Sequence, residues 1–245
     1  SLFLQYQITP YLISMECNPN EKCGHSLQFV NSSGVRLINI SMADTMENGF
    51  QCSMHCESRN RRVYVTDKAL YYFSRMSPKE YDFVWFIQQE VYIPSMEAFL
   101  RVHQNALLQR SDLVTKTHTV RNMTQDPWKW SQLDRTMRLS YRPWYRSENV
   151  QAFGLSWRML LEVCTYVSRN KRLDMLHSFL NTLAMQKQLR IWMPAEWNTI
   201  HNTTAAYTRT VAPYECHQIL QQRLNWYYPV KDYDSLVQKC ATTTQ

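Results

Sequence analysis

Apolar residues along the chain follow three different patterns. In "SMEAFLRVHQNALLQ" (95–109), Met96, Phe99, Leu100, Val102, Ala106 and Leu107 recur at the three- and four-residue spacing of a helix face, and Pro94 and Ser95 open the helix. "TDKALYYFSRM" (66–76) repeats that spacing through Ala69, Leu70, Phe73 and Met76, with Thr66 as cap and Pro78 past the end. Two more helices are expected close together, one over 157–169 capped by Ser156 and one over 172–188, and a further one at 214–225. The second pattern is alternation. "HSLQFV" and "VRLINI" (35–40), separated by the turn residues "NSSG" (31–34), predict short strands, and "RVYV" (62–65) predicts another, so that 1–62 reads as irregular and strand-rich. The third is a continuous run. "DFVWFI" (82–87) has the composition of a strand covered on both faces, which suits the interior of a parallel sheet. Val84 and Phe86 would share one face, and Trp85 and Ile87 the other.

With "SDLVTKT" (111–117) as the next strand, 82–117 forms a strand–helix–strand unit with a right-handed crossover. "VQAFGLSW" (150–157) and "LRIWMP" (189–194) supply further strands. Ahead of both, 119–150 has little periodic apolar pattern but holds "DPWKW" (126–130) and "YRPWYR" (141–146), a loop region or a docking surface.

Composition narrows the chemistry. The 245 residues suffice for one sizeable α/β domain or two small ones, and 44% hydrophobic against 19% charged residues predicts a packed core. Four glycines, with no GxGxxG and no GxxxxGK[ST], exclude the common glycine-rich phosphate loops. No GxSxG or HExxH string supports a hydrolase. The net charge of +7 is spread along the chain, with short clusters at "RNRR" (59–62) and "RNKR" (169–172). A diffuse positive field suits an anionic ligand such as a nucleotide diphosphate, an acidic partner or a mitochondrial address, and equally a plain solvated surface. Nucleic acid is not expected, for want of a basic stripe with aromatics on a known module. No run approaches the ~20 apolar residues of a membrane span. The start lacks the basic region of a signal peptide, and since residue 1 is Ser a targeting segment can already be missing.

The seven cysteines leave at least one unpaired or paired with another chain. Cys164, in "MLLEVCTYV", reads as a core thiol. Cys17, Cys23, Cys52 and Cys56 cluster with His25 and His55, open to free thiols, to one or two disulfides, or to a zinc knot such as Cys23, His25, Cys52 and Cys56. Sequons at Asn31, Asn39, Asn122 and Asn202 lean toward a secretory lumen (endoplasmic reticulum or Golgi), with a mitochondrial or cytosolic place left open.

The strings "DKALYYF … YDFVWFIQQEVYIPSMEAF" and "GLSWRMLLEVCTYVSRNKRLDMLHSFLNTLAMQ" resemble nucleotide-sugar glycosyltransferases of the GT-A type found in algae and other protists. In that family a Y-D-[YF]-V-W-F-I strand runs into an E-D-D-V loop, and a helical pair follows that ends near "NTLA". The resemblance covers 66–117 well and 150–200 moderately. It implies an α/β fold of GT-A type, with a mostly parallel, Rossmann-like sheet flanked by helices. The chain would be one domain over 1–245, made of a cysteine-containing part (1–61), a family-like core (62–200) and a C-terminal arm (201–245).

The resemblance also implies a site. In GT-A enzymes loop carboxylates hold a divalent cation against the diphosphate leaving group. Here the aligned loop is Gln88, Gln89 and Glu90, one carboxylate out of three. A second family acid, before the "NTLA" asparagine (Asn181), falls at His177 and Ser178. His177 can act as a base or be structural. Asp67, Lys68, Gln88, Gln89, Arg142 and Arg146 are candidates for donor contact, although an Asp at a helix N-terminus, as Asp67 is, ordinarily serves the helix dipole or cap. Trp128, Trp130, Trp144, Trp226 and Tyr227 are candidate interface anchors, and the three loop tryptophans are equally candidates for sugar stacking. Loss at both acidic positions points to a catalytically degenerate domain without a cofactor, serving as a structural or accessory subunit among other proteins. The alternative is an active transferase using Mn²⁺ or Mg²⁺ with a nucleotide sugar.

Overall fold

A computed structural model describes residues 8–14, 35–40, 42–50, 65–76, 81–88, 91–120, 142–147, 151–199 and 224–228. The chain is mixed α/β and divides into two compact units, each drawn from separate stretches of sequence. Unit 1 comprises 1–81, 128–140 and 160–175; unit 2 comprises 82–127, 141–159 and 176–245. No described helix is long and apolar enough to cross a membrane.

In unit 1, β1 (Tyr11–Ser14) pairs in parallel with β2 (Arg36–Asn39). Helix α1 (Met42–Glu47) ends in a Schellman motif: Phe50 N–H donates to Thr45 O and Gly49 N–H to Met46 O, both at 2.9 Å. Gly49 has φ +84°, and a Cβ there would lie 2.7 Å from the carbonyl carbon of Lys171, so conformation and space both require glycine. Helix α2 (Val65–Tyr71) continues as a π-helical turn, Tyr72–Met76. Val65 therefore opens a helix instead of ending a strand, and Thr66 sits inside the first turn and not at the cap. The β-branched side chain of Val65 is outweighed by the helical face that follows it, and 62–64 lie outside the described residues. Phe50 is fully buried and meets the ring of Tyr71 at 5.5 Å. Tyr11 packs edge-on against Phe73, and its hydroxyl hydrogen-bonds that of Tyr81.

Unit 2 is built on four strands: β3 (Phe83–Ile87), β4 (Leu113–Val114), β7 (Ala152–Ser156) and β8 (Ile191–Trp192), in the order β3-β7-β4-β8. β7 is antiparallel to both β3 and β4, while β8 is parallel to β4. Thus β3, β4 and β8 share one direction and β7 opposes them. The expectation of a mostly parallel sheet is corrected to a mixed one: the strand that sits between β3 and β4 arrives from later in the chain and runs the other way. Among the described residues β3 stands at the end of the sheet, not in its interior, and Ile87 is exposed.

The expected faces of β3 do hold. Val84 and Phe86 are buried on the side where Phe86 stacks on Phe153 at 4.8 Å, and Phe83 and Trp85 occupy the other side with Gly154. A Cβ on Gly154 would collide with the Phe83 ring and come within 3.1 Å of Trp85, so the bare backbone leaves room for both rings. Helix α3 (Met96–Leu108) covers this side with Ala98, Val102 and Ala106, spaced four residues apart and small enough for close approach. Ser95 caps α3 by accepting from Ala98 N–H at 3.1 Å, as the sequence predicts.

Helix α4 (Trp157–Asn170) starts directly from β7; its first turn belongs to unit 2 and the turns from Leu160 to unit 1. Its predicted cap is present, since Ser156 Oγ accepts from Met159 N–H at 3.2 Å. The same oxygen donates to buried Asp112 Oδ1 at 2.7 Å, and Asp112 Oδ2 accepts from Arg190 N–H at 3.1 Å. Asp112 thereby joins β4, β7 and the approach to β8. Helix α5 (Leu176–Gln186) is buried over most of its length. Two short ribbons complete the unit: β5 (Thr119–Val120) with β6 (Tyr145–Arg146), antiparallel, and β9 (Trp197–Thr199) with β10 (Trp226–Tyr228), parallel.

Of the helix expected at 214–225, residues 214–223 lie outside the described residues and Leu224 and Asn225 form a turn and a bend; Cys17, Cys23, Cys52, Cys56, His25, His55 and the sequons at Asn31, Asn122 and Asn202 also lie outside. Asn39 is described through its backbone, in β2. Cys164 is a free thiol of intermediate exposure, where a core thiol was expected.

Candidate functional site

Strand direction decides which loops meet. Because β3, β4 and β8 run the same way, the segments leaving them emerge at one edge of the sheet, and the segment entering the opposed β7 arrives there too. Gln88 N–H donates to Gln151 O at 2.8 Å, and Thr115 N–H to Trp192 O at 3.1 Å, which fixes these segments side by side. The carboxyl edge of strands is where open α/β sheets place ligands.

A polar network extends from this edge to α5. Thr115 Oγ1 donates to Ser147 Oγ at 2.8 Å, and Ser147 N–H donates to the carbonyl of His177 at 2.7 Å. Thr182 grips Tyr145 twice, accepting from its N–H at 2.9 Å and donating to its carbonyl at 3.1 Å. Gln186 Nε2 donates to Arg142 O at 2.8 Å. Asn181 Nδ2 donates to Thr117 O at 3.0 Å and lies 3.1 Å from His118 Nδ1. His118 stacks on Tyr145, with ring centroids 4.7 Å apart and planes 8° from parallel. Burial lowers the pKa of both His118 and His177 from the ordinary histidine value, so each favours the neutral ring.

The sequence-predicted residues divide among these surroundings. Gln88, Arg142, Arg146 and His177 belong to unit 2 and to the segments just described. Arg142 lies over the ring of Trp144, 5.3 Å from its centroid. Asp67 and Lys68 belong to unit 1 and are each 1% exposed. Lys68 Nζ donates to Ile40 O at 2.7 Å, tying α2 to the end of β2. Their charged groups do not face solvent, and donor contact at these positions is replaced by an internal structural role.

Trp144 and Trp226 are core side chains, not exposed anchors. Trp226 is 2% exposed, donates from Nε1 to Ala98 O at 3.1 Å, and packs with Trp85, Phe99 and Trp197. Large aromatic area is as useful inside a small unit as at an interface, and here the interior takes it. Tyr227 is described through its backbone, in β10. Gln89, Glu90, Trp128 and Trp130 lie outside the described residues.

Sequence reasoning passed over His118, Tyr145, Ser147 and Thr115. The available signal was the polar run "TKTHT" directly after the buried strand "LV" (113–114), the place where a sheet presents side chains to a ligand. A scan against protein-family models and a search of curated proteins each return no match to this chain.

Proposed function

We propose that the chain is a glycosyltransferase-like domain that has lost metal-dependent sugar transfer and serves as an accessory subunit of a larger protein assembly. The observation that carries this reading is how the polar groups at the carboxyl edge are used. Thr115, Ser147, Asn181, Thr182 and Gln186 bond to one another or to the unit's own backbone. Gln88, the described member of the loop after β3, brings no charge to a diphosphate. The end position of β3 runs against the GT-A sheet, so the resemblance draws its structural support from the α/β architecture and from the common direction of β3, β4 and β8.

Calorimetric titration with Mn²⁺ and a panel of nucleotide sugars tests the catalytic half. The expected result is no EDTA-sensitive binding at micromolar concentration, because a lone carboxylate offers too little charge to displace the ion's water. Micromolar binding that disappears in Glu90→Gln would restore the active transferase, with Glu90 as metal ligand. Native purification with solvent-accessibility mapping tests the other half. Protection of 126–146, which holds Trp128 and Trp130, by another protein is expected; a monomer whose tryptophan fluorescence responds to a nucleotide sugar counts against it.

A further inference from the structure

One ring in the edge network is held by a single nitrogen. Asn181 is 1% exposed, and its Nδ2 lies within hydrogen-bond distance of both Thr117 O and His118 Nδ1. A carbonyl only accepts, so the amide must turn its NH₂ toward Thr117, and the second hydrogen of that NH₂ is then available to His118. An NH₂ cannot accept. Nδ1 of His118 must therefore be the accepting nitrogen, and the ring's proton sits on Nε2. The ring plane is fixed as well, by the stack on Tyr145, whose backbone Thr182 clamps on both sides. Among the described residues Nε2 has no hydrogen-bond partner, although the ring is only of intermediate exposure.

We propose that Asn181 is a positioning residue that holds the His118 proton on Nε2, making this N–H a pre-aimed hydrogen-bond donor at the carboxyl edge for an oxygen acceptor of a bound ligand. Thr115, Asn181 and Thr182 spend their side-chain donors on the unit itself; His118 keeps one. Among the described residues the groups shown on the ring are Tyr145 from β6 and Asn181 from α5, and burial is what lowers its pKa. Among the described residues no carboxylate is bonded to the ring. The inference stands whether or not the domain descends from a sugar transferase, because it depends only on the amide, the carbonyl and the ring.

The test is nitrogen-detected imidazole NMR on the full chain, with His118 identified by its loss in His118→Gln. The native protein should show His118 with Nε2 protonated, Nδ1 shifted as a hydrogen-bond acceptor, and a titration midpoint below that of a free histidine. Asn181→Ala should raise the midpoint and return Nδ1 to an unbonded shift. Asn181→Asp should raise proton affinity at least tenfold and move the neutral-form proton to Nδ1, with His103 on α3 unmoved as the internal reference. A His118 signal indifferent to both substitutions, or protonated on Nδ1 in the native protein, overturns the positioning role. Inorganic phosphate and methyl α-glucopyranoside then probe the donor separately, as an anionic and a neutral source of acceptor oxygen. A saturable shift of the Nε2–H with either, weakened in Asn181→Asp, is the expected result, and no shift with both refutes the ligand-facing assignment.

Discussion

Each unit has a glycine that a side chain would crowd, and the two are favoured for different reasons. In unit 1, Gly49 lies where one backbone passes another: a Cβ would sit 2.7 Å from the carbonyl carbon of Lys171 and 3.0 Å from Arg172 N, at a φ of +84°. In unit 2, Gly154 lies where aromatic rings cross a strand, and the atoms a Cβ would meet belong to the side chains of Phe83 and Trp85. Around Gly49 the crowding atoms are main chain, while buried side chains such as Phe50, Leu70 and Val167 fill the rest of unit 1. Unit 2 is closed by side-chain area spread over a four-stranded sheet. Rings can yield a little; backbone held by hydrogen bonds cannot. The contrast is between a position specified by conformation and one specified by volume.

Removing volume from unit 2 should have the largest effect. Trp226→Ala empties the centre of the aromatic cluster and leaves Ala98 O without its indole donor. The expected loss is about 3–5 kcal/mol in urea unfolding. A loss below 1 kcal/mol would mean that the cluster is not what closes the unit.

The glycines sharpen the comparison directly. Gly49→Ala combines the left-handed backbone penalty of about 1–2 kcal/mol with overpacking against main chain of about 1–3 kcal/mol. Gly154→Ala carries only the overpacking cost of about 1–3 kcal/mol, relieved if the Phe83 ring turns away. Thermal or urea denaturation should therefore rank Gly49→Ala as the more damaging of the two. The reverse order would break the distinction between conformation and volume.

The smallest effect expected is that of pH. His103, His118 and His177, all in unit 2, have pKa values lowered by burial. For a depressed histidine the unfolded chain binds protons that the folded chain refuses, so stability is full above the unfolded pKa of about 6.5 and is lost as pH falls through the folded values. The urea midpoint should drop between about pH 7.5 and pH 5.5. His103→Gln should shrink that drop; Trp85 Nε1 donates to His103 Nδ1 at 3.1 Å, a bond the imidazolium cannot keep. An unchanged midpoint over this range would remove burial as the cause.

What the sequence revealed followed the range of the forces involved. Helix α3 with its Ser95 cap and helix α4 with its Ser156 cap were legible because a cap and a face are local, written within about four residues. The two faces of β3 were legible for the same reason. Its end position was not, since strand order depends on β7 arriving from nearly seventy residues later, and "DFVWFI" reads the same at the end of a sheet as in its middle. Gln88, Arg142, Arg146 and His177 were singled out from the sequence, and the structure puts them on the segments around the edge network. Asp67, Lys68 and Trp226 show the limit of that approach, because a charge or an indole does not announce whether it is buried. His118 was missed because its significance lies in Asn181, sixty-three residues away, which selects one ring nitrogen.

The opposed strand also sets an order of events. β3 and β4 are complete by Val114, yet neither touches the other in the finished sheet; among the described residues, β7 is the only strand to which β3 is hydrogen-bonded. During synthesis β3 cannot meet the one strand it pairs with among the described residues until Ala152–Ser156 has left the ribosome. For that interval Phe83, Trp85 and Phe86 lie on a strand with no partner, the kind of segment chaperones capture. High contact order of this kind slows folding, so the protein's yield on expression should depend more on temperature and chaperone supply than its final stability would suggest.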